Sequence, residues 1–408
     1  MTDMNEQLDS YDHYHMNVFG RPLMVLDHGQ GSYVWDTAGK KYLDFLAGIA
    51  VNSVGYAHPK WTAAVADQAG KIAHTSNYFA TVPQIELAEK LLTLAQAPEG
   101  SRVYFANSGT EGNEAALKLM KLHAKRKGVS KNARIIALTH AFHGRTLGAL
   151  SATWKPAIRE PFEPLIPNIE FVEAGDVDAL TQIFNQGPVA GIIMELIQGE
   201  AGVLEVGASF VQKARQLCDD NDALLIIDEV QTGMGRTGHW FAFQNEQLSA
   251  GVMPDAITFA KGVAGGFPMG GLITFGQRVS ELFTPGSHGS TFAGNPLAAR
   301  AGLATIGIIE EENLLENATA RGIQLREALM NCKNDLFVSV HGSGLLNAIE
   351  LAHPCAHAAV EWLLNQGLIA NAVNPQALRL APPLNVSSAQ IEEGVQILSH
   401  IPYDLPND

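Results

Sequence analysis

The stretch that decides the fold is ALLIID, residues 223–228, an unbroken apolar run that ends in a carboxylate. Four further short runs have the same character, namely VYF (103–105), RIIAL (134–138), GIIME (191–195) and AITFA (256–260). Strands that are buried on both faces have continuous apolar runs of this kind, which is typical of parallel sheets. Amphipathic stretches such as EAALKLMKLHAK (114–125) lie between the runs. The pattern predicts an α/β protein with a large, doubly wound, mostly parallel sheet.

The two ends of the chain differ from its middle. Residues 23–46 contain short strand patterns (MVL, SYVW and KYLDFL) separated by HGQG and DTAGK, which we interpret as hairpin turns. Near the C-terminus, LRLAP is followed by Ser387 and Gln390, which are spaced as a capping box, and then by apolar residues on one helical face. We therefore predict a smaller α+β domain built from both termini. Its segments are 1–60 and 309–408, and they flank a large domain at 61–308.

The composition excludes several classes of protein. Of 408 residues, 46% are hydrophobic, the formal net charge is −15, and no block of Lys and Arg is present, so a nucleic-acid partner is not expected. The cysteines Cys218, Cys332 and Cys355 are far apart without C-x-x-C spacing, which favours a reducing cytoplasm over a disulfide framework or a thiolate metal site. Neither a signal peptide nor a membrane-spanning stretch is recognisable.

Polar residues follow three of the apolar runs. Ser108, Gly109 and Thr110 open a helix after RVYFAN, Asp228 ends ALLIID, and Lys261 follows DAITFA. Ligands of doubly wound sheets bind beyond the carboxyl ends of the strands, so these residues are candidates for an anion site, a carboxylate and an amine. Taken singly, each has a structural alternative: an ordinary helix cap, a core salt bridge, and a lysine that reaches solvent.

The combination of the three is more specific than its parts. Pyridoxal 5'-phosphate requires a lysine for its Schiff base, a carboxylate at its ring nitrogen and a phosphate cradle, and all three are present. Neither a Walker loop nor a G-x-G-x-x-G motif occurs. No metal site is predicted, because His140 and His143 have no further Cys or His partner in a ligand pattern and are interpreted as pocket wall or structure.

Seven ordered motifs resemble the class III, fold-type I, pyridoxal-phosphate aminotransferases over almost the whole chain. The first motif is GSYVWDTAGKKYLDFLAGIAVNSVGYAHP (31–59). The other six are FANSGTEGNEAALKL, HAFHGRT, MELIQGEAGV, LLIIDEVQTGMGRTG, ITFAKGVAGGFPMGG and HGSTFAGNPLA. Beyond them, the resemblance ends at LRLAPPL. The resemblance implies the fold of that family. It also implies an enzyme that moves an amino group with pyridoxal phosphate.

The resemblance also implies roles for individual residues. Lys261 would form the Schiff base and move protons, while Asp228 would keep the ring nitrogen protonated. The implied cofactor-binding set is Ser108, Gly109, Thr110, Phe142, Asp228, Gln231, Lys261 and Thr291. Within it, Phe142 would stack on the ring, Gln231 would approach the phenolic oxygen, and Thr291 would reach the phosphate of a neighbouring subunit. A homodimer is therefore implied.

Substrate choice is expected to depend on Arg145, Glu200 and Arg379, with Ser290 beside them, because guanidinium groups bind carboxylates as bidentate forks. By resemblance, Arg145 holds the donor's carboxylate, and Glu200 masks Arg379 until 2-oxoglutarate binds. The implied reaction moves the δ-amino group of N2-acetyl-L-ornithine to 2-oxoglutarate. Succinylornithine, succinyl-diaminopimelate, ornithine or 4-aminobutyrate are alternative donors, and an aminomutase is the alternative reaction. The chain departs from the family pattern at Leu196, Gly112, Tyr56 and Ala293, which bears on substrate preference.

Overall fold

The computed structural model describes residues 3–408, which form an α/β fold around one large sheet. The strands, in chain order, are β1 (Leu26–Gln30), β2 (Tyr33–Asp36), β3 (Lys41–Asp44), β4 (Arg102–Ala106), β5 (Arg134–Leu138), β6 (Ile169–Val172), β7 (Val189–Met194), β8 (Ile197–Gln198), β9 (Leu204–Glu205), β10 (Leu224–Asp228), β11 (Ala256–Phe259), β12 (Gly270–Thr274), β13 (Phe337–Ser343), β14 (Leu346–Leu351), β15 (Leu368–Ile369), β16 (Asn371–Asn374) and β17 (Ala377–Leu380).

The helices surround the sheets. In chain order they are α1 (Met4–Tyr14), α2 (Ala47–Ala50), α3 (Pro59–Ala69), α4 (Val82–Leu94), α5 (Gly109–Arg126), α6 (Leu147–Ser151), α7 (Pro156–Arg159), α8 (Val177–Asn185), α9 (Ala208–Asp220), α10 (Glu246–Ser249), α11 (Gln277–Ser280), α12 (Pro296–Glu311), α13 (Leu314–Asn331), α14 (Ala356–Asn365) and α15 (Ser388–Leu398). Short 3₁₀ turns lie at Glu160–Phe162, Gly199–Ala201, Ala242–Gln244 and Lys261–Ala264. Within residues 3–408, no helix is both long and apolar enough to cross a bilayer.

The large sheet has the strand order β4-β12-β11-β10-β7-β5-β6 in the described part of the chain. Every neighbouring pair is parallel except the two that involve β12, which runs against β11 and β4. Leu225 and Ile227 belong to one hydrophobic cluster, whereas Leu224 and Ile226 belong to another on the opposite face. The sheet is therefore buried on both sides, as the continuous apolar runs predict. The doubly wound α/β fold is confirmed.

The five predicted runs all form strands of this sheet, and the predicted helix at 114–125 lies inside α5. The hairpin predicted around HGQG is present, but its turn lies at Gly31 and Ser32, because β1 continues through Gln30 and pairs with β2. Gly29 is needed within the strand rather than in a turn: a Cβ there would lie 2.5 Å from the ring of Tyr56. The packed ring, which the local sequence does not reveal, explains this glycine.

Both ends of the chain meet in the smaller part of the fold. The antiparallel strands β1, β2 and β3 are extended by β15, which pairs with β3 in parallel. A second antiparallel sheet has the order β13-β14-β17-β16. The predicted capping box is present before α15: Ser387 Oγ accepts the N–H of Gln390 at 3.2 Å, and Gln390 Oε1 accepts the N–H of Ser387 at 2.8 Å. The domain boundaries at residues 60 and 308 stay a prediction.

Gly112 allows α5 to pack closely on β12. A Cβ on Gly112 would lie 2.6 Å from the carbonyl oxygen of Gly271, a distance that real contacts do not reach. A side chain at this position therefore requires that α5 or β12 move. The close approach matters because α5 begins beside the polar ends of the strands.

We predict that Gly112→Ala lowers the free energy of unfolding by about 1–3 kcal/mol, because the added methyl group forces the helix and the strand apart. The matched control is Gly307→Ala in α12, where the added Cβ meets nothing within 4 Å. That change should be neutral or stabilising by up to about 1 kcal/mol, since alanine is the better helix former. Thermal and urea unfolding of the two variants measure the difference. Equal stability of the two would contradict the packing argument.

Candidate active site

Residues at the carboxyl ends of three strands of the large sheet meet at one cavity. Ser108, Gly109 and Thr110 follow β4, Asp228 ends β10, and Lys261 follows β11. All of them line a cavity of about 440 Å³. Four further residues of the predicted cofactor-binding and substrate-binding sets line the same cavity, namely Phe142, Arg145, Glu200 and Gln231. The fold thus brings together residues that lie up to 153 positions apart in the chain, from Ser108 to Lys261.

At one end of the cavity, the N-terminus of α5 offers backbone N–H groups. Ser108 is the N-cap residue, and its Oγ accepts the N–H of Glu111 at 3.3 Å. The first N–H groups of a helix have no intrahelical partner, and the helix dipole favours an anion beside them. The backbone of Gly109 lies against Val230, and a Cβ there would be 2.7 Å from Val230 Cγ1. A helix cap and an anion cradle are therefore compatible at this segment.

The carboxylate of Asp228 is buried and accepts four hydrogen bonds. Oδ2 accepts from Asn113 Nδ2 and from His143 Nδ1, each at 2.8 Å. Oδ1 accepts the N–H of Val230 at 3.0 Å and the hydroxyl of Thr258 at 3.1 Å. Burial would raise the pKa of Asp228, but the hydrogen bonds and the neighbouring imidazole outweigh it and lower the pKa below its usual value. The group therefore stays anionic in the cavity wall.

The side chains of Asn113 and His143 bind Asp228, a contact that the sequence analysis did not predict. His143 belongs to the pocket wall, as one of its two interpretations held, whereas His140 lies outside the lining. Among the described residues, neither His143 Nε2 nor Asn113 Oδ1 has a hydrogen-bond partner, although both atoms are buried. The side chain of Asn113 comes from the second turn of α5, and only the packing of that helix on the sheet reveals its contact with Asp228.

Glu195 is a second buried carboxyl group that the sequence analysis missed. It follows β7, lines the cavity, and accepts the N–H of Phe142 at Oε1 over 2.9 Å. Burial raises the pKa of Glu195 to about 7, and the charge on Asp228 contributes to the increase while His143 opposes it. The sequence does contain a signal for Glu195 as a site residue, because Glu195 ends the run GIIME in the same way as Asp228 ends ALLIID.

Lys261 has a neutral amine at a much lower pH than an ordinary lysine. Burial lowers the pKa of Lys261 to about 8, and the nearby guanidinium of Arg379 lowers it too, whereas Glu200 and other carboxylates act in the opposite direction. The backbone of Lys261 has a φ of 41°, in the left-handed region that residues with a Cβ rarely adopt. Both features are common at functional sites.

Glu200 and Arg379 form an ion pair at the edge of the cavity. The guanidinium of Arg379 is buried, contacts Glu200 through Nη1, and also donates to Gln231 Oε1 at 3.2 Å and to Asn371 Oδ1 at 2.7 Å. Burial would raise the pKa of Glu200, but Arg379 outweighs it and lowers the pKa. Glu200 and Gln231 line the cavity and Arg379 does not, so Arg379 lies behind them.

Arg145 is the exposed guanidinium at the mouth of the cavity. Its Cζ lies 5.8 Å from the ring centroid of Phe142, and the side chain lines the cavity. Ser290 and Thr291 do not belong to the lining. The hydroxyl of Ser290 is held by Asn107 Nδ2 at 2.9 Å, whereas Thr291 is exposed on the surface of its own chain.

All four departures from the family pattern, Gly112 included, lie outside the cavity lining. Tyr56 donates its hydroxyl to Asp44 Oδ2 at 2.6 Å. Ala293 is buried, and its carbonyl accepts from Asn77 Nδ2 at 3.0 Å. Leu196 is buried directly after Glu195. None of these three changes a side chain that faces the cavity of its own chain.

Comparison with known proteins places this cavity in a family. The family model described as aminotransferase class-III matches residues 15–401. The chain belongs to the class-III aminotransferases. An acetylornithine aminotransferase of Bifidobacterium longum is 63% identical over 100% of this chain and 98% of its own, and one from Synechocystis is 41% identical over 95% and 91%.

Solved structures of aminotransferases have the same fold. The ornithine aminotransferase of Toxoplasma gondii superimposes with a TM-score of 0.91 at 28% identity, covering 98% of this chain and 94% of that one. An N-acetylornithine aminotransferase from Stenotrophomonas maltophilia gives a TM-score of 0.81 at 32% identity, covering 96% and 97%. The resemblance seen in the seven motifs is confirmed by both kinds of comparison.

Class-III aminotransferases use pyridoxal 5'-phosphate, and the cavity of this member fits that cofactor. The N-terminus of α5 can take the phosphate, where Gly109 leaves no room for a side chain. The anionic Asp228 can pair with a protonated ring nitrogen, and the Lys261 amine can bind the aldehyde carbon. The chemistry of these donors therefore matches the three parts of the cofactor.

We predict that the Lys261 amine of the cofactor-free protein titrates near pH 8. At that pH about half of the amines should be neutral, against roughly 1% or less for an unperturbed lysine. Reductive methylation with formaldehyde at pH 6–11, followed by mass spectrometry of the Lys261 peptide, measures the neutral fraction. The exposed Lys155 in the same digest controls for the pH dependence of the reagent. A midpoint near pH 10 for Lys261 would contradict the prediction.

Proposed function

We propose that this aminotransferase moves the δ-amino group of N2-acetyl-L-ornithine to 2-oxoglutarate, giving N-acetyl-L-glutamate 5-semialdehyde and L-glutamate, as a step of arginine biosynthesis. The proposal is supported chiefly by the relative of Bifidobacterium longum, which is named acetylornithine aminotransferase and is 63% identical over the whole chain. The cavity adds a physical reason, because it combines one exposed guanidinium with a second one that is masked by a carboxylate. We also assign the enzyme to the cytoplasm, since its three cysteines are unpaired.

The residues around the cofactor would divide the work among them. When bound, pyridoxal phosphate supplies an electron sink that makes the hydrogen beside the transferred nitrogen acidic. Asp228 would hold the proton on the ring nitrogen, because its pKa is low and its carboxylate is fixed by four hydrogen bonds. The Lys261 amine would take and return the proton at the carbon that carries the transferred amino group, since it is neutral above about pH 8.

The remaining members of the cofactor set would fix its position. Ser108, Gly109 and Thr110 would hold the phosphate at the start of α5. Phe142 would stack on the ring, and Gln231 would approach the phenolic oxygen, since both line the cavity that contains Asp228 and Lys261.

The two arginines would let one cavity accept two different substrates. Arg145 is exposed at the mouth and would hold the α-carboxylate of the donor, then the distal carboxylate of 2-oxoglutarate. Arg379 would bind the α-carboxylate of 2-oxoglutarate, which requires that Glu200 leave it. While the ion pair is intact, Arg379 attracts no second carboxylate. The cavity then fits a donor that has one carboxylate and a neutral acetamido group. Ser290 does not line the cavity of its own chain, and its assignment to the substrate-binding set stays a prediction.

We infer that the active enzyme is a homodimer in which Thr291 completes the cavity of its partner. Thr291 is exposed on its own chain, next to Phe292. Phe292 is one of several exposed large apolar residues in two adjoining segments, the others being Tyr78, Phe79, Val82 and Ile85. The segments are joined by the hydrogen bond from Asn77 to the carbonyl of Ala293. Exposed apolar surface of this extent is typical of a protein interface.

Mixed dimers test the role of Thr291. Lys261→Ala should be inactive, and Thr291→Val should bind the cofactor more weakly. Co-expression of the two variants should restore one complete site per hybrid dimer, because the Lys261 of one chain meets the Thr291 of the other. Cofactor affinity and activity of the isolated hybrid are the measurements. If Thr291 serves its own chain, the hybrid will show no tight site.

A donor panel tests the substrate. The kcat/KM should be highest for N2-acetyl-L-ornithine with 2-oxoglutarate, in comparison with succinylornithine, succinyl-diaminopimelate, ornithine and 4-aminobutyrate. A better donor among these would replace the assignment. An amino group that returns to the same carbon skeleton, without any glutamate formed, would identify an aminomutase instead.

The variant Arg145→Lys, measured with the same panel of substrates, tests the role of Arg145. A lysine keeps the charge but cannot form a bidentate fork with a carboxylate. If Arg145 binds both substrates, KM should rise by about tenfold or more for donor and acceptor alike, as expected for the loss of a charge-assisted hydrogen bond. Unchanged values for both would remove Arg145 from the site.

A further inference from the structure

The turn at residues 199–202 carries Glu200, and three of its four backbone carbonyls accept hydrogen bonds from side chains. The carbonyl of Gly199 accepts from Arg379 Nη1 at 3.2 Å. That of Ala201 accepts from Asn374 Nδ2 at 3.1 Å. That of Gly202 accepts from His341 Nε2 at 2.8 Å. The turn is thus held on both sides of Glu200.

All three donors belong to the sheet β13-β14-β17-β16. His341 lies in β13, Asn374 ends β16, and Arg379 lies in β17. The same sheet therefore presents the guanidinium that pairs with Glu200 and the side chains that position the backbone of Glu200. The ion pair between Glu200 and Arg379 therefore depends on how this turn is held on this sheet.

The turn also packs tightly on this sheet. Gly202 has a φ of 112°, and a Cβ there would lie 3.3 Å from Asn374 Nδ2 and 3.4 Å from the Cβ of Ala377. His341 is oriented by a second contact, since the hydroxyl of Ser339 lies 3.4 Å from its Nδ1. Because a carbonyl oxygen can only accept a hydrogen bond, Nε2 of His341 is the donor to Gly202. The histidine therefore acts as a fixed donor.

We propose that His341 and Asn374 are positioning residues that hold Glu200 on Arg379 and so set the balance between the two substrates of the enzyme. The proposal rests on the proposed function, in which Arg379 binds a carboxylate of the acceptor. Neither residue lines the cavity, so neither touches a substrate there. Their hydrogen bonds keep the turn where Glu200 meets the guanidinium. Release of the turn weakens the ion pair and makes Arg379 available to a dicarboxylate.

Loosening of the turn should change the affinities for the two substrates in a specific way that a general loss of stability would not produce. When the turn is loosened, a dicarboxylate competes better for Arg379, because it no longer displaces a positioned carboxylate. A donor with one carboxylate then meets an unmasked guanidinium beside its apolar and neutral parts, and binds less well. The affinities of the two ligands should therefore change in opposite directions.

The test uses the cofactor-loaded enzyme and glutarate, which has the carboxylate spacing of 2-oxoglutarate but no carbonyl group. In His341→Leu, calorimetric titration should give a Kd for glutarate about threefold to tenfold lower than in the wild type, as expected when one hydrogen bond to the turn is lost. The KM of the amino donor should rise by a similar factor. His341→Gln should restore both values, because its amide nitrogen can occupy the place of Nε2.

Asn374→Ala provides an independent variant with the same expected direction. His353→Leu is the matched control, since the Nε2 of His353 donates to the carbonyl of Tyr403 at 2.7 Å, far along the chain from the turn. It should leave both ligands unchanged. An unchanged Kd for glutarate in His341→Leu and Asn374→Ala, or a parallel weakening of both ligands, overturns the proposal.

The glutarate titration separates this proposal from the proposed function. A wild type that binds glutarate but transfers no amino group would refute the function, while the series of variants still decides the role of the turn. A wild type that binds no glutarate overturns the positioning role, because Arg379 then forms no carboxylate site for the turn to control.

Discussion

The rest of the structure depends on the burial of the Asp228 carboxylate at the end of a central strand. An isolated carboxylate in such surroundings would cost on the order of tens of kcal/mol, so it must be met by donors. The donors come from separate elements: Asn113 from α5, His143 from the segment after β5, and Thr258 from the neighbouring strand β11, where it stands opposite Asp228 in the register. The Asp228 carboxylate therefore links α5 to the middle of the large sheet through hydrogen bonds.

The same anion organises the charges of the cavity. Glu195 lines the same cavity as Asp228, and burial, together with the charge on Asp228, raises the pKa of Glu195 to about 7. Burial, and after it the guanidinium of Arg379, lowers the pKa of Lys261 to about 8, while these carboxylates act in the opposite direction. A neutral amine beside a fixed anion is what a class-III aminotransferase requires, since the amine must react while the anion must stay charged.

Much of this arrangement could be predicted from the sequence, and the physical reason is local. Parallel strands buried on both faces leave continuous apolar runs, and the polar residue that ends such a run must lie at the edge of the sheet, which is how Asp228 and Lys261 were found. Glu195 obeyed the same rule but was not recognised. Asn113 could not be predicted, because its contact depends on the packing of α5, which Gly112 permits. The shifted position of the turn at HGQG has the same origin, since a distant ring explains Gly29 within the strand.

In the proposed function, the two sheets divide chemistry from selectivity. The large sheet supplies the carboxylate and the amine that would meet the cofactor, whereas the sheet β13-β14-β17-β16 supplies Arg379 and the side chains that hold the turn of Glu200. The hydrogen bond from Arg379 to Gln231 is one of the few that join these two groups of residues. A substitution in the smaller sheet can therefore change which carboxylates are accepted while the bonds of Asp228 stay intact. Relatives with one fold and different amino donors are the expected result of such independence.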